Sequence, residues 1–357
     1  MTRVSLQFSK LLLLSTLASP LLTAQVQTTV TVAQLEEFLH SKGAAHESDA
    51  ELAEQLNTVT LSEQLTPPAF ARLAGLNSVG PQTTDQLRLL AAVSILCAPP
   101  AAELPALPAP DAAAQQQILE SAGRYVNETL RHLPDFLATR ETLSFNDVPE
   151  RSSKHAKPRA ILHFVGTHQQ EIAYRNGSET DASSPPGFTT WGEFGPVLKI
   201  ALADSAAGTL AWSRWQKGEI AAQVAVFRYT VPAAASHYFV DFCCDVSFRG
   251  TPAYHGEISI DPATGTIERI TMEPELPDSS SIPALGLAVL YGRVVIGGVG
   301  YVCPTRSLAT STVRIPDPEA PDGSYSRTYV NEVSFVGYHK FGSTARMVLD
   351  KPASPPR

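Results

Sequence analysis

The chain has 357 residues, 43% hydrophobic and 17% charged, with 27 Lys and Arg against 35 Asp and Glu and a formal net charge of -8. Length and apolar content suffice for one large packed domain or two ordinary ones and exclude wholesale disorder, while the acidic balance excludes a surface built to neutralise nucleic-acid phosphates. Charged residues fall below the ~25% usual for soluble domains and the 28 prolines exceed the usual ~5%, so the surface must be polar largely through uncharged groups.

Residues 1–24 read as a secretory signal peptide. Arg3 and Lys10 precede the apolar run from Leu11 to Leu14, and Leu22-Thr23-Ala24 places small residues at a cleavage position. That run is shorter than the ~20 residues a permanent span needs. Cleavage near Ala24, a secreted or periplasmic location and no transmembrane segment in the mature chain are therefore expected, and loss of Arg3 and Lys10 leaves the remainder more acidic.

Residues 25–97 form a small helical module in this reading. Val32, Leu35, Phe38 and Leu39 recur at helical spacing behind Thr31 as N-cap, with Gln34 making half of a capping box. Leu52, Leu56 and Val59 continue the period; Pro67-Pro68 starts a short helix to Leu76, and Thr83-Thr84-Asp85 opens another to Cys97. Residues 98–111 carry five prolines and read as an extended, semi-rigid linker. Beyond it, Ile118, Leu119, Ala122, Tyr125, Val126 and Leu130 mark one face of a long helix over 112–132.

The rest, to residue 351, alternates β-branched and aromatic residues between turns, with a helix at about 191–203 and a disordered tail at 352–357. Strands are expected at 136–145, 159–166, 171–175, 209–216, 221–231, 237–246, 254–260, 266–273, 287–296, 299–314 and 326–338. Asn176-Gly177 and the loop from Asp261 to Gly265 are hairpin turns. Many strands joined by short turns imply an α+β fold with a large, curved, antiparallel sheet wrapping a helix.

A long helix, then Leu133-Pro-Asp-Phe-Leu-Ala-Thr-Arg-Glu-Thr, then successive hairpins with an inserted helix, resembles the half-barrels of bacterial lipoprotein-sorting carriers and their periplasmic sensor relatives. That resemblance implies a concave sheet holding acyl chains or a peptide. The blocks Ser236-His-Tyr, Ile260-Asp-Pro-Ala-Thr-Gly, Tyr291-Gly-Arg-Val-Val-Ile-Gly-Gly and Val336-Gly-Tyr-His-Lys-Phe-Gly-Ser-Thr, with the Leu133 block, look like a family of exported bacterial proteins. This second likeness implies export without implying an activity.

No motif specifies catalysis. Gly-x-Ser-x-Gly and Cys-x-x-Cys are absent, His237, His255 and His339 among the nine histidines sit on separate candidate strands, and His237 with Asp241 is simply two residues on one strand face. No catalytic residue, cofactor site or metal ligand is expected. Export permits a disulfide, read as Cys303 with Cys243 or Cys244, while Cys97 stays free. The aromatic residues Trp191, Trp212, Trp215, Phe227, Tyr229, Tyr238 and Phe242 form the candidate ligand groove on the concave sheet. The expected function is a non-catalytic envelope protein binding a lipid, acyl chain or hydrophobic peptide. A protein-interaction module with an apolar patch on residues 30–98 is the alternative, and a secreted hydrolase ranks behind both.

Overall fold

A computed structural model describes residues 28–147, 162–179, 192–242, 246–277, 280–318 and 323–341. The signal segment, the C-terminal tail, Trp191, Cys243 and Cys244 lie outside the described residues.

The N-terminal module is built from short, well-capped helices. In α1 (Val32–Ala44) the Thr31 hydroxyl accepts from the Gln34 amide and Gln34 Oε1 accepts from the Thr31 amide, so the capping box is complete. Ser48 and Glu51 repeat the device on α2 (Asp49–Leu56). Thr66 caps α3 (Pro67–Ala74), and prolines sit where their missing N–H costs nothing. The next helix, α4 (Pro81–Val93), starts before Thr83, contrary to expectation, because its cap comes from elsewhere. The Asp49 carboxylate accepts from the amides of Gly80, Gln82 and Thr83 at 2.9 to 3.1 Å. Val59 also departs from the helical reading, since β2 (Val59–Leu61) pairs in parallel with β1 (Thr28–Val30). A short β-branched run fits either period, and pairing decides it.

Residues 98–111 are tied to neighbouring elements at separate points. A 3-10 turn spans Ala101–Glu103, Glu103 accepts from the Thr66 hydroxyl at 2.6 Å, and the Pro108 carbonyl accepts from the Trp215 indole at 2.8 Å. Asp111 then caps α5 (Ala112–His132).

The sheet follows as β3 (Phe136–Asn146), β4 (His163–Arg175), β5 (Ser178–Glu179), then α6 (Pro196–Ala207), β6 (Thr209–Gln216) and β7 (Val224–Val231). After the small hairpin of β8 (Val240–Phe242) and β9 (Phe248–Gly250) come β10 (Ala253–Ile260), β11 (Ile267–Glu275), β12 (Ala284–Ile296), β13 (Val299–Pro316) and β14 (Ser324–Lys340). Ten strands pair antiparallel in the order β5-β4-β3-β14-β13-β12-β11-β10-β7-β6 without closing, which makes the chain an α+β half-barrel. Two expected strands, 159–166 and 171–175, are one continuous β4 over the described residues, and the expected 237–246 strand shrinks to β8. Among the described residues no helix is long and apolar enough to cross a membrane.

Both faces are covered by the chain's own helices. The inner face packs Ile258, Ile270, Leu287 and Val289 against Ile118, Ala122 and Val126 of α5 and Val197, Leu198 and Ala201 of α6. The outer face packs Ala288, Leu308 and Val330 against Leu89, Ala92 and Ile95 of the module. Gly286 marks the closest approach, because a Cβ there would stand 2.3 Å from the Leu96 side chain. Buried Arg269 adds a polar tie by donating to the Ile95 carbonyl.

Candidate functional site

The rings expected to line a groove are core. Phe227, Tyr229 and Phe242 are buried in the main cluster, with Trp212, Trp215 and Tyr238 packed against it. Trp212 meets Phe227 and Trp215 edge to face at 5.7 and 4.9 Å, and Tyr238 meets Tyr254 at 5.3 Å. Trp212 and Trp215 share a face although three apart, since the ladder slips one residue at Ser213. The candidate residues within the described chain thus belong to or pack against one cluster. On the inner face, where the groove was expected, α5, α6 and the rings pack together.

An open concavity among the described residues lies at the end of this covered region. β13 pairs with β14 only from Arg306 onward, whereas its earlier residues pair with β12 alone, so the tip of the β12–β13 hairpin runs beyond the main ladder. Thr305 is an extra residue where the register passes from Leu290↔Arg306 to Tyr291↔Pro304, and such a bulge bends the strand. Gly297 and Gly298, at φ 60° and 85°, make the tight turn. Ile296 and Cys303 of the hairpin pack with Phe136 and Phe335. Residues 293–295 and 300–302 meet the last turns of α5 across a cleft of about 530 Å³, within the ~300–1,000 Å³ range of ligand sites.

Tyr125, Val294, Val295, Tyr301 and Val302 give the cleft apolar walls; Glu128, Thr129, His132 and Arg293 supply polar groups. Burial raises the Tyr125 phenol above its usual range, against a smaller opposing influence of Thr129 and Thr266. His132 Nδ1 donates to the Glu128 carbonyl at 2.7 Å, leaving Nε2 as the ring's other polar atom. Arg293 is exposed and always charged, in a fork suited to a carboxylate or phosphate. Sequence reasoning missed Arg293 and His132. The available signal was Arg293 interrupting the apolar run from Leu287 to Ile296 beside a Gly-Gly turn.

Other expected chemistries distribute as follows. His237 lies outside any strand and points to α6, with its Nδ1 2.7 Å from Asp204 Oδ1; buried Asp204 also accepts from the His237 amide and the Tyr254 hydroxyl. Asp241 instead meets Arg249 at 3.5 Å, so the two residues weighed for hydrolysis are in different contacts. Cys303 is a buried free thiol pushed up to about 12 by burial, and no disulfide is seen among the described residues. Its cluster is that of Phe136 and Phe335, whereas Phe242, next to Cys243, belongs to the main core. Cys97 is also free and raised by burial. No group of three metal-ligating side chains occurs among the described residues.

No protein-family model, curated protein or solved structure matches the chain.

Proposed function

We propose that the chain is an exported, non-catalytic binding protein that takes the apolar chain of a lipid-like ligand into the cleft between α5 and the β12–β13 hairpin. One observation carries this reading. The cleft is of ligand size, is walled mainly by valine and tyrosine, and has Arg293 and His132 among its polar groups. Val295 is 64% exposed and Val299 54%, and a ligand covering such a tip gains the transfer free energy of both side chains. The signal-like residues 1–24 and the resemblance to periplasmic half-barrels support export and an acyl ligand. Arg293 favours an anionic head over a neutral one.

The interaction-module alternative, with its apolar patch on residues 30–98, has less to support it. The exposed large apolar residues among those described are Leu107, Phe164, Val165, Phe239, Val295, Val299 and Val336, none within 30–98.

The test is a titration of the full chain with a fluorescent long-chain fatty acid. Saturable binding is expected, with Val295→Glu weakening it by about tenfold or more, as loss of ~1.5–3 kcal/mol of side-chain burial implies. Phe239→Ser, an exposed position outside the cleft, is expected to bind like the parent. Absence of saturable binding, or wild-type affinity in Val295→Glu, overturns the proposal.

A further inference from the structure

A second set of groups, buried on the sheet away from the cleft lining, points to a proton-controlled device. Glu179 closes β5, and its Oε2 accepts from the Gly192 amide at 3.1 Å, joining that strand to the turn that enters α6. The turn is folded on itself, with Gly192 O accepting from the amides of Gly195 and Val197 at 3.2 and 3.0 Å. Its two central side chains are driven into the sheet. Phe194 packs edge to face on Phe136 and Phe335 at 5.2 and 5.1 Å. Glu193, fully buried, accepts from the Ser307 hydroxyl at 3.2 Å and lies 3.8 Å from the Arg140 guanidinium, while its carbonyl accepts from the Tyr291 hydroxyl.

Two buried carboxyl groups therefore meet beneath one turn. We propose that Glu179 carries a proton in the folded chain at neutral pH, and that losing it is a switch that unseats the Gly192–Gly195 turn and loosens the start of α6. A negative charge on Glu179 would be poorly solvated and would face Glu193, and two close buried carboxylates do not both ionise readily. Among the described residues the groups that act on the pair are Arg140 from β3, Tyr174 from β4, Tyr291 from β12, Tyr338 from β14 and Tyr238 beside Glu193. Arg140 and the Gly192 amide favour the charge; burial and Glu193 oppose it more strongly, pushing the Glu179 carboxyl up to about 8. The titration belongs to the pair, and its structural consequence is delivered through the Gly192 hydrogen bond and the Glu193 contacts.

The test uses the full chain. Infrared difference spectra across the range below and above about pH 8 should show the carbonyl stretch of a protonated carboxyl at the lower pH, lost at the higher, and absent in Glu179→Gln. Hydrogen exchange, corrected for the intrinsic pH effect, should show protection of Gly195 to Ala201 falling over the same range in the parent and staying constant in Glu179→Gln. Glu193→Gln, which removes the like charge, should move the transition to lower pH. The proposal is overturned if the parent shows no protonated-carboxyl signal, if that signal persists in Glu179→Gln, or if protection of the turn does not follow it. The presence of the signal, and its loss together with the protection of the turn, are read in the parent chain alone, so a poorly folding variant still leaves those two outcomes able to overturn the proposal.

Discussion

Glu257→Gln removes the anion on which the outer-face charge network depends. On β10, Glu257 accepts from both terminal nitrogens of Arg214 at 2.6 and 2.7 Å, stands 3.6 Å from Arg269 and 3.5 Å from Arg228. Burial pushes its carboxyl up, but Arg214, Arg269 and Arg228 together outweigh that and hold it below the usual carboxylate range. Arg214 and Arg269 are themselves buried, at 9% and 7% side-chain exposure, whereas Arg228 is 64% exposed. With glutamine in place, the two buried guanidiniums lose the anion they share, while Glu273 still acts on Arg269. Breaking a buried pair in this way costs ~3–5 kcal/mol, and two unit charges ~4 Å apart at an effective dielectric of ~20 give a similar ~4 kcal/mol. Loss of the exposed partner in Arg228→Ala should cost under ~1 kcal/mol.

Urea unfolding followed by tryptophan fluorescence measures both, because Trp212 and Trp215 flank Arg214 on β6 and report this part of the sheet. The expected result is a midpoint lowered in Glu257→Gln by about 4 kcal/mol divided by the denaturant slope, against total stabilities of ~5–15 kcal/mol. A cost below ~1 kcal/mol for Glu257→Gln, or equal costs for the two variants, would refute the assignment of Glu257 as the hub. The pH sign is also fixed. A carboxyl depressed in the folded state contributes stability above its unfolded value of 4.5, lost as pH falls through the folded value, so the parent should lose more stability in acid than Glu257→Gln does.

Glu268, buried on β11, accepts from the amides of Glu219, Ile220 and Ala221 at 2.6, 3.0 and 2.7 Å; Glu268→Ala should cost ~3 kcal/mol by chemical denaturation and Glu268→Gln about half that, since one of its two atoms still accepts. Leu308→Ala, at the contact between module and sheet, should cost ~2–5 kcal/mol and raise amide exchange in α4. Folding stability should also fall as pH rises, because Glu179 is raised in the folded state: its contribution is complete below its unfolded value of 4.5 and lost on passing about 8, a slope that Glu179→Gln should remove. Cys303 should resist alkylation, read by peptide mass mapping, until the chain is unfolded; rapid labelling of the folded protein would contradict its burial.

What was readable in the sequence was chiefly local. The 112–132 helix is the observed α5, flanked by Asp111 and the Leu133-Pro134 stop, and the Asn176-Gly177 turn takes the positive φ angles that its residues favour. Alternation correctly grouped Phe227 with Tyr229 because period two is a property of one strand. The features that escaped are relations between distant segments. Asp49 caps α4 across thirty-odd residues, the Ser213 slip reunites Trp212 with Trp215, and Val59 becomes a strand only because Thr28 lies beside it. The open or filled state of the inner face is of the same kind, since it depends on where α5 and α6 come to rest. Composition and pattern in the strands themselves read alike in both cases.

The location of the cleft follows from the same packing. A ten-stranded open sheet must hide two apolar faces, and here α5 with α6 covers one while the N-terminal module covers part of the other. Side chains in the covered middle pack against one another as core. Space can persist only where covering and covered elements end at different points. At 21 residues α5 is about 31 Å long, and its last turns face hairpin residues that have already left the β14 ladder. Two elements that overrun the sheet together thus enclose a recess that neither fills. Filling it with the chain's own atoms, for instance by Gly300→Leu, should block the fluorescent fatty acid while leaving the Trp212 and Trp215 unfolding signal unchanged. Full binding by that variant would mean the ligand sits elsewhere.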